Sequence, residues 1–525
     1  EAAAILALAE DITHALKPSA RRLGAPGLVQ AYTGGADSAR GETPWCLIDR
    51  HHRTLLRLHH GHLWQDDAPA ETEAAFNQLV ALTRHRHAEA VSDLAEAFVA
   101  ALAGSQYSVP GVLAQADLFA QQLGAHPPGR TAYVLVDALR FEMAHELAAG
   151  EIAGWQSALT PAIATFPSIT PIGMAALMPG AERGITLAAR GKQLVVEIGG
   201  HDVTGRAKRI TQLRRSWPDV VECKLGDLRP AKPALRKQLE AAPQVLITSQ
   251  EIDEVAETSG GAFARTHMTG VLDDLRGAFR TLSAAGIERI IVTADHGHLF
   301  GDEISAGEKI DAPGGETIEL HRRVWIGRGG DAAPGYVRMQ ASELGLSGDL
   351  EFATPRSTAV FTAAGGSNDY FHGGLSLQEL VIPVLELTRA AGAGGGGVAP
   401  FSWELTPGSK AITSRFCTVR IGGGTGQQQL ALLTAPPQPP VARVELRAGA
   451  ALVGKAIAAS YGFREAGGEV ELRLDPADPT RIEPNTVTFQ MAEGVTSGAA
   501  TAVLIDAVTG RELARFADIP VSIAF

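Results

Sequence analysis

The chain has 525 residues, room for roughly two to four domains, and its 45% hydrophobic and 20% charged residues describe a globular protein rather than a disordered one. A formal net charge of −12 argues against bulk, non-specific binding of nucleic acid. Cys46, Cys223 and Cys417 are odd in number and far apart, which excludes a disulfide framework and a CxxC zinc site.

Reduced thiols of this kind suit a cytoplasmic protein. The longest apolar runs, AYVLV at 132–136 and LVIPVLEL at 380–387, are far too short to span a bilayer, so no membrane partner is expected. No signal-peptide pattern is visible from Glu1 onward.

Residues 1–125 read as a helical region. Apolar residues recur at i, i+3 and i+4 through 72–104, with no interior proline and a stop at Gly104. HHGH at 59–62 lacks an acidic partner at ligand spacing and reads as a polar loop.

After PPGR at 127–130 the texture changes. Strands are predicted at 131–138, 194–200, 219–225, 244–250 and 289–295, each nearly continuous in apolar residues and so buried on both faces. An amphipathic helix at 262–286 ends on Gly286. The β-α-β rhythm predicts an α/β fold over 126–390, a doubly wound, mostly parallel sheet. The basic run RAKRITQLRR at 206–215 reads as a solvated helix face, with contact to nucleic acid as the alternative. The stretch 391–400 is a Gly-rich linker. Beyond it, runs at 417–421, 428–435, 441–448, 469–474 and 501–508 predict a C-terminal all-β sandwich of immunoglobulin-like type over 401–525.

Ligand-bearing residues of an open α/β sheet gather at the carboxyl ends of its strands. Asp137 ends the first strand, with Arg140 and Glu142 following; it also suits a helix N-cap. Thr170 precedes Pro171, which makes it an N-cap candidate whose hydroxyl could turn nucleophile beside a metal. Gly173 keeps that turn slim enough for close approach. In ITSQEIDEVAE at 247–257, Asp253 and Glu257 share one helix face at i and i+4 and repel each other unless a cation lies between them. Asp295 and His296 leave the strand 289–295 together, and Gly297 permits the tight turn that one metal would require. His298 reads as an outer or packing residue, and His372 opens HGG at 372–374. Oxygen-rich ligands mixed with imidazole, without cysteine, suit a catalytic zinc or manganese site. Paired metals about 3.5–4 Å apart are usual for displacement at phosphorus.

The order of these motifs is more specific than any one of them. VDALRFEM at 136–143, FPSITPIGMAALMPG at 166–180, TADHGHLF at 293–300 and FHGGLSLQELVIPVL at 371–385 resemble the PglZ domain of the alkaline phosphatase superfamily, over roughly 130–388. The resemblance implies a sheet of alkaline phosphatase type and Thr170 as nucleophile. Asp137, Asp295 and His296 would hold the metal that activates Thr170, and Asp253, Glu257 and His372 a second one. Arg140 would clamp a phosphate oxygen. Two zinc ions are expected. Glu257 stands where many superfamily members have His, which favours manganese or magnesium at the second site. PglZ proteins belong to BREX-type phage defence, so the resemblance also implies defence-protein partners such as a DNA methyltransferase. The expected activity is that of a metal-dependent phosphodiesterase or phosphatase, with a nucleotide, a nucleic-acid end or a protein phosphate as the substrate left open by the sequence. A metal-ordered scaffold is the alternative. Sulfate-ester or phosphosugar transfer is a disfavoured third reading, because sulfatases generally have a Cys or Ser converted to formylglycine at the nucleophile position and this chain has Thr170.

Overall fold

The structure, a computed structural model, describes all residues except 18–22, 35–42, 63–69, 151, 153, 230, 302–308, 364–368, 390–400, 425–438, 449–450, 465–467, 493, 508–511 and 524–525. The chain divides into two compact units, Glu1–Ala390 and Ala391–Phe525.

The first unit is built around a seven-stranded sheet. Its order is Leu113–Ala114, Trp155–Ile163, Val381–Arg389, Arg289–Thr293, Thr131–Val136, Gln244–Ser249 and Val221–Lys224. All but one of these strands run the same way; Val381–Arg389 is antiparallel to both neighbours. Thr131–Val136, an interior strand, is buried along its whole length, as its unbroken apolar character requires. Helices Phe141–Ala149, Pro233–Ala241 and Gly261–Ala284 accompany the sheet, together with Ala2–Ala15, Ala25–Thr33, Leu47–His62 and Ala70–Gly104 from the helical region. Their buried residues, such as Ile12, Leu28, Phe98 and Phe279, join the core of the sheet in one cluster.

Two local expectations are corrected, and one strand was not foreseen. The run 194–200 lies outside the main sheet: Gln193–Ile198 pairs antiparallel with Ile185–Arg190 and with His201–Asp202. Only Gly191 and Lys192 join the first two strands, and a two-residue connection permits a hairpin but not a parallel crossover. Gly191, at φ +64, supplies the left-handed backbone of that turn. The strand Trp155–Ile163 was not legible, because most of its residues are at least partly exposed and Pro161 interrupts it. HHGH at 59–62 belongs to the last turn of helix Leu47–His62 rather than to a loop, and His59 Nε2 lies 2.6 Å from Asn77 Oδ1.

In the second unit every described element is a strand, and paired strands are antiparallel. Phe416–Gly424, Val441–Ala448, Glu469–Glu471 and Ser497–Asp506 coincide with four predicted runs. The fifth, 428–435, and the linker 391–400 lie outside the described residues. Val419, Ile421, Val444, Leu446, Phe489 and Leu504 form this unit's own core.

Candidate active site

Two neighbouring strands deliver the first cluster. Leu135 pairs with Thr293, so Asp137, just past one strand, meets Asp295 and His296, just past the other. These three side chains offer ligand atoms all within 4.8 Å of one another, and all three are buried. His296 Nε2 lies 3.3 Å from Asp295 Oδ2 and 3.8 Å from Asp137 Oδ1. Its Nδ1 lies 2.9 Å from the Gly297 carbonyl oxygen; that oxygen accepts, so the proton sits on Nδ1 and Nε2 turns its lone pair to the cluster.

The electrostatics call for a cation. Burial, with the charges of Asp295 and Asp253 adding to it, pushes the Asp137 carboxyl well above the usual carboxylate range. Burial likewise pushes Asp295 up to about 7, although the Ala138 N–H donates to its Oδ1 at 3.1 Å. Asp137 Oδ1 and Asp295 Oδ2 are buried and make no hydrogen bond among the described residues. Two such oxygens facing a neutral imidazole are a good fit to a divalent ion, and poor packing without one.

Close backbone approach shapes the cluster. A Cβ on Gly173 would come within 2.4 Å of the Asp295 carbonyl oxygen, so this glycine makes room for the cluster's own backbone rather than for a ligand. Ala138 adopts φ +61 and donates its N–H to Asp295, while its carbonyl accepts from His298 Nδ1 at 3.0 Å. Gln115 donates to the carbonyls of Ala294 and Asp295 at 3.1 and 2.7 Å and accepts from Thr165 N–H at 2.8 Å. His298 is buried, as a packing residue should be.

Thr170 is the first residue of helix Thr170–Ala176, and the N-cap is Ile169. The extended Ile169 takes the N–H groups of Ile172 and Gly173 on its carbonyl at 3.0 and 2.9 Å, so the cap lies one residue before the expected one and the helix begins at Thr170 itself. Thr170 makes no capping hydrogen bond. Its Oγ1 instead lies 3.2 Å from His296 Nε2.

The second cluster adjoins the first through His296. Asp253, His296 and His372 offer atoms within 4.8 Å of one another, and the two imidazoles stack at 4.2 Å between centroids and 6° between planes. His372 Nε2 lies 3.8 Å from Asp253 Oδ1 and 4.0 Å from Glu257 Oε1. Burial lowers the pKa of His372, and the neighbouring His296 lowers it further. Glu257 is exposed at the rim and reaches the cluster through His372. The Tyr370 hydroxyl donates to Asp253 Oδ1 at 2.9 Å, a contact that sequence reasoning missed.

Arg140 is placed differently from the expected clamp. It is 2% exposed, and its Nη2 lies 2.9 Å from Asp49 Oδ1 in the helical region. Glu142, its neighbour, receives both Nε and Nη2 of Arg53 at 3.0 Å. Arg209, from the basic run, is a cation the sequence did not single out: burial lowers its pKa, while the charges of Asp295 and Asp137 raise it. The run itself is helix Arg206–Arg214, with Lys208 2.7 Å from Asp202 and Arg206 paired to Glu222. Below HGG, buried Glu379 accepts from Gly374 N–H at 2.8 Å and Ser376 Oγ at 2.7 Å and pairs with Arg323 at 2.9 Å.

With this geometry in view, comparison with known proteins is specific. Residues 120–387, just over half of the chain, match the BREX system PglZ alkaline phosphatase-like domain. The chain is 29% identical over 297 residues to the alkaline phosphatase-like protein BrxZ of Escherichia coli O9:H4 (strain HS), covering 54% of this chain and 33% of that protein. It is 25% identical over 318 residues to the alkaline phosphatase-like protein PglZ of Bacillus cereus (strain H3081.97), covering 56% of this chain and 36% of that protein. The match thus spans about a third of the length of these curated relatives. Among solved structures, murine ectonucleotide pyrophosphatase/phosphodiesterase 5 aligns at TM-score 0.35 and 11% identity, over 50% of this chain and 88% of that one, a likeness too low to carry an argument. No helix among the described residues is long and apolar enough to cross a membrane. The matched residues enclose both clusters and Thr170, and the chain belongs to the family of BREX system PglZ alkaline phosphatase-like domains.

Proposed function

We propose that the chain hydrolyses a phosphoric ester, with Thr170 as nucleophile. The observation that carries this is the Thr170 hydroxyl, uncapped at a helix start and 3.2 Å from an imidazole whose other neighbours are two buried carboxylates without hydrogen-bond partners on their inner oxygens. Asp137, Asp295 and His296 would hold one divalent ion; Asp253 and His372, with Glu257 at the rim, would hold another. Zinc suits the first, and the carboxylates of the second also suit manganese or magnesium. The ions held there would supply positive charge that lowers the pKa of a neighbouring hydroxyl and offsets negative charge on a phosphoryl group.

The side chains do the rest. His296 keeps its proton on Nδ1, which leaves Nε2 to the ion and places Thr170 Oγ1, 3.2 Å away, beside that same position. Thr170 Oγ1, having given its proton to solvent, forms the new bond to phosphorus as the bond to the departing alkoxide breaks, in line, and the alkoxide takes a proton from water. Water then cleaves the phospho-threonine and returns the hydroxyl. Tyr370 holds Asp253 in one orientation throughout. Membership of the family supports other BREX proteins as partners; a DNA methyltransferase among them, and a nucleotide or nucleic-acid phosphoester as substrate, are parts of the proposal that the match itself does not supply. Thr170→Ala is expected to abolish hydrolysis of bis-p-nitrophenyl phosphate by the metal-restored chain while metal content and fold persist. Retained turnover in that variant removes the covalent step.

The exposure of Glu257 favours a second reading, in which one weakly held ion and one firmly held ion order the loops of a defence complex without turnover. Metal uptake with no hydrolysis of phosphomonoesters or phosphodiesters would select it.

A further inference from the structure

We infer that the N-terminal helical region is a working part of the site, and that Asp49 is a positioning residue for the loops that carry Asp137 and His296. Asp49 lies on helix Leu47–His62 and is 1% exposed. Its carboxylate takes the Tyr32 hydroxyl at 2.8 Å and His87 Nε2 at 3.2 Å, both from the helical region. Two further partners come from the α/β sheet side: Arg140 Nη2 at 2.9 Å and Gln378 Nε2 at 3.2 Å.

Those two partners stand on either side of Gly297. A Cβ added there would lie 2.0 Å from the Gln378 carbonyl oxygen and 3.5 Å from Arg140 Cγ. Gly297 N–H also donates to the Glu379 carbonyl at 2.9 Å. Gly297 is therefore held in a slot whose two walls are tied to one carboxylate, and His296 is the residue before it. Arg140 stands three residues after Asp137, and between them Ala138 bonds Asp295 through its N–H and His298 through its carbonyl. A buried ion pair that served packing alone would have no reason to join both loops of the first cluster. Outer partners of metal ligands set ligand orientation, and their loss lowers metal affinity about 10- to 100-fold.

The inference rests on the metal sites proposed above, and the test separates the two. In the metal-stripped full chain, Asp49→Asn is expected to speed amide exchange at 137–140 and 295–298, whether or not metal binds. It is also expected to weaken Zn²⁺ uptake, measured by competition with a chelating dye, by about 10- to 100-fold. Arg53→Met breaks the buried pair with Glu142 between the same helix and Phe141–Ala149, without touching either loop. It should cost stability and leave loop exchange and Zn²⁺ affinity unchanged. Gln378→Met removes a single donor to Asp49 and gives a milder loss of the same kind, which keeps the test open if Asp49→Asn does not fold. Wild-type exchange and affinity in both Asp49→Asn and Gln378→Met overturn the inference. So does an Arg53→Met chain that loses Zn²⁺ affinity as far as Asp49→Asn does, since stability alone then explains the effect. A wild-type chain that takes up no divalent ion sinks the proposed function instead, and the exchange result still decides the role of Asp49.

Discussion

Asp295→Asn separates the electrostatic cost of the site from its use. The Asp295 carboxyl is fully buried, and burial raises it from 3.8 to about 7. Its folded pKa exceeds its unfolded one, so in the metal-free chain its contribution to stability is fully present below about pH 4 and is lost as pH rises to about 7. Above that, ionising the group in place costs on the order of 4 kcal/mol. Asparagine keeps an oxygen for the Ala138 N–H and brings no charge. The chelated variant should therefore be more stable than the chelated wild type at pH 8, by an amount up to about 4 kcal/mol, and close to it at pH 4. Tryptophan fluorescence in urea reads this, because among the described residues Trp45, Trp155, Trp217 and Trp325 lie in the unit Glu1–Ala390 and only Trp403 outside it. Added Zn²⁺ or Mn²⁺ should restore the wild type and stabilise the variant less, through the second site alone. An asparagine variant less stable than wild type in chelator at pH 8, or one stabilised by metal as strongly as wild type, refutes the reasoning.

Three further outcomes follow from the same contacts. Gly297→Ala drives a methyl against the Gln378 carbonyl and should cost about 1–3 kcal/mol with a parallel fall in metal affinity, read by urea unfolding and dye competition. Tyr370→Phe removes the hydroxyl that orients Asp253; it should weaken the less tightly held ion about 10- to 100-fold and leave the other in place, read by metal titration. For Glu379, burial would raise the carboxyl, but the buried Arg323 guanidinium and the Ser376 and Gly374 donors hold it below its usual value. Its stabilisation is present above the ordinary glutamate range and is lost as pH falls through the folded value. Glu379→Gln should cost about 3–5 kcal/mol at neutral pH, with a weaker acid-side dependence than wild type.

How far the site could be read depended on where its determinants lie along the chain. Asp137, Asp295 and His296 were legible because each follows a strand buried on both faces, where a polar residue has no packing role. Asp253 and Glu257 were legible from helical spacing, and the two do flank His372, at 3.8 and 4.0 Å. Composition misassigned the run 194–200, since a hairpin strand and a core strand can have the same residues; the short spacing from ITLAAR at 185–190 held the missing information. Thr170 looked like a cap because Ser and Thr before proline often are, and only the extended backbone of Ile169 reveals that the helix starts earlier. The partners of Arg140 were beyond reach. Asp49 is one acid in a stretch rich in Arg and His, and its engagement with Arg140 and Gln378 bridges 91 and 329 positions of chain.

The proposal turns on whether these side chains hold divalent ions around Thr170. Elemental analysis of the purified full chain, set beside the same measurement on Asp295→Asn and on Thr170→Ala, addresses that most directly. The account predicts about two ions per wild-type chain, about one in Asp295→Asn, and an unchanged content in Thr170→Ala. A wild-type chain free of divalent metal after purification and after dialysis against Zn²⁺ or Mn²⁺, or a full complement in Asp295→Asn, contradicts it.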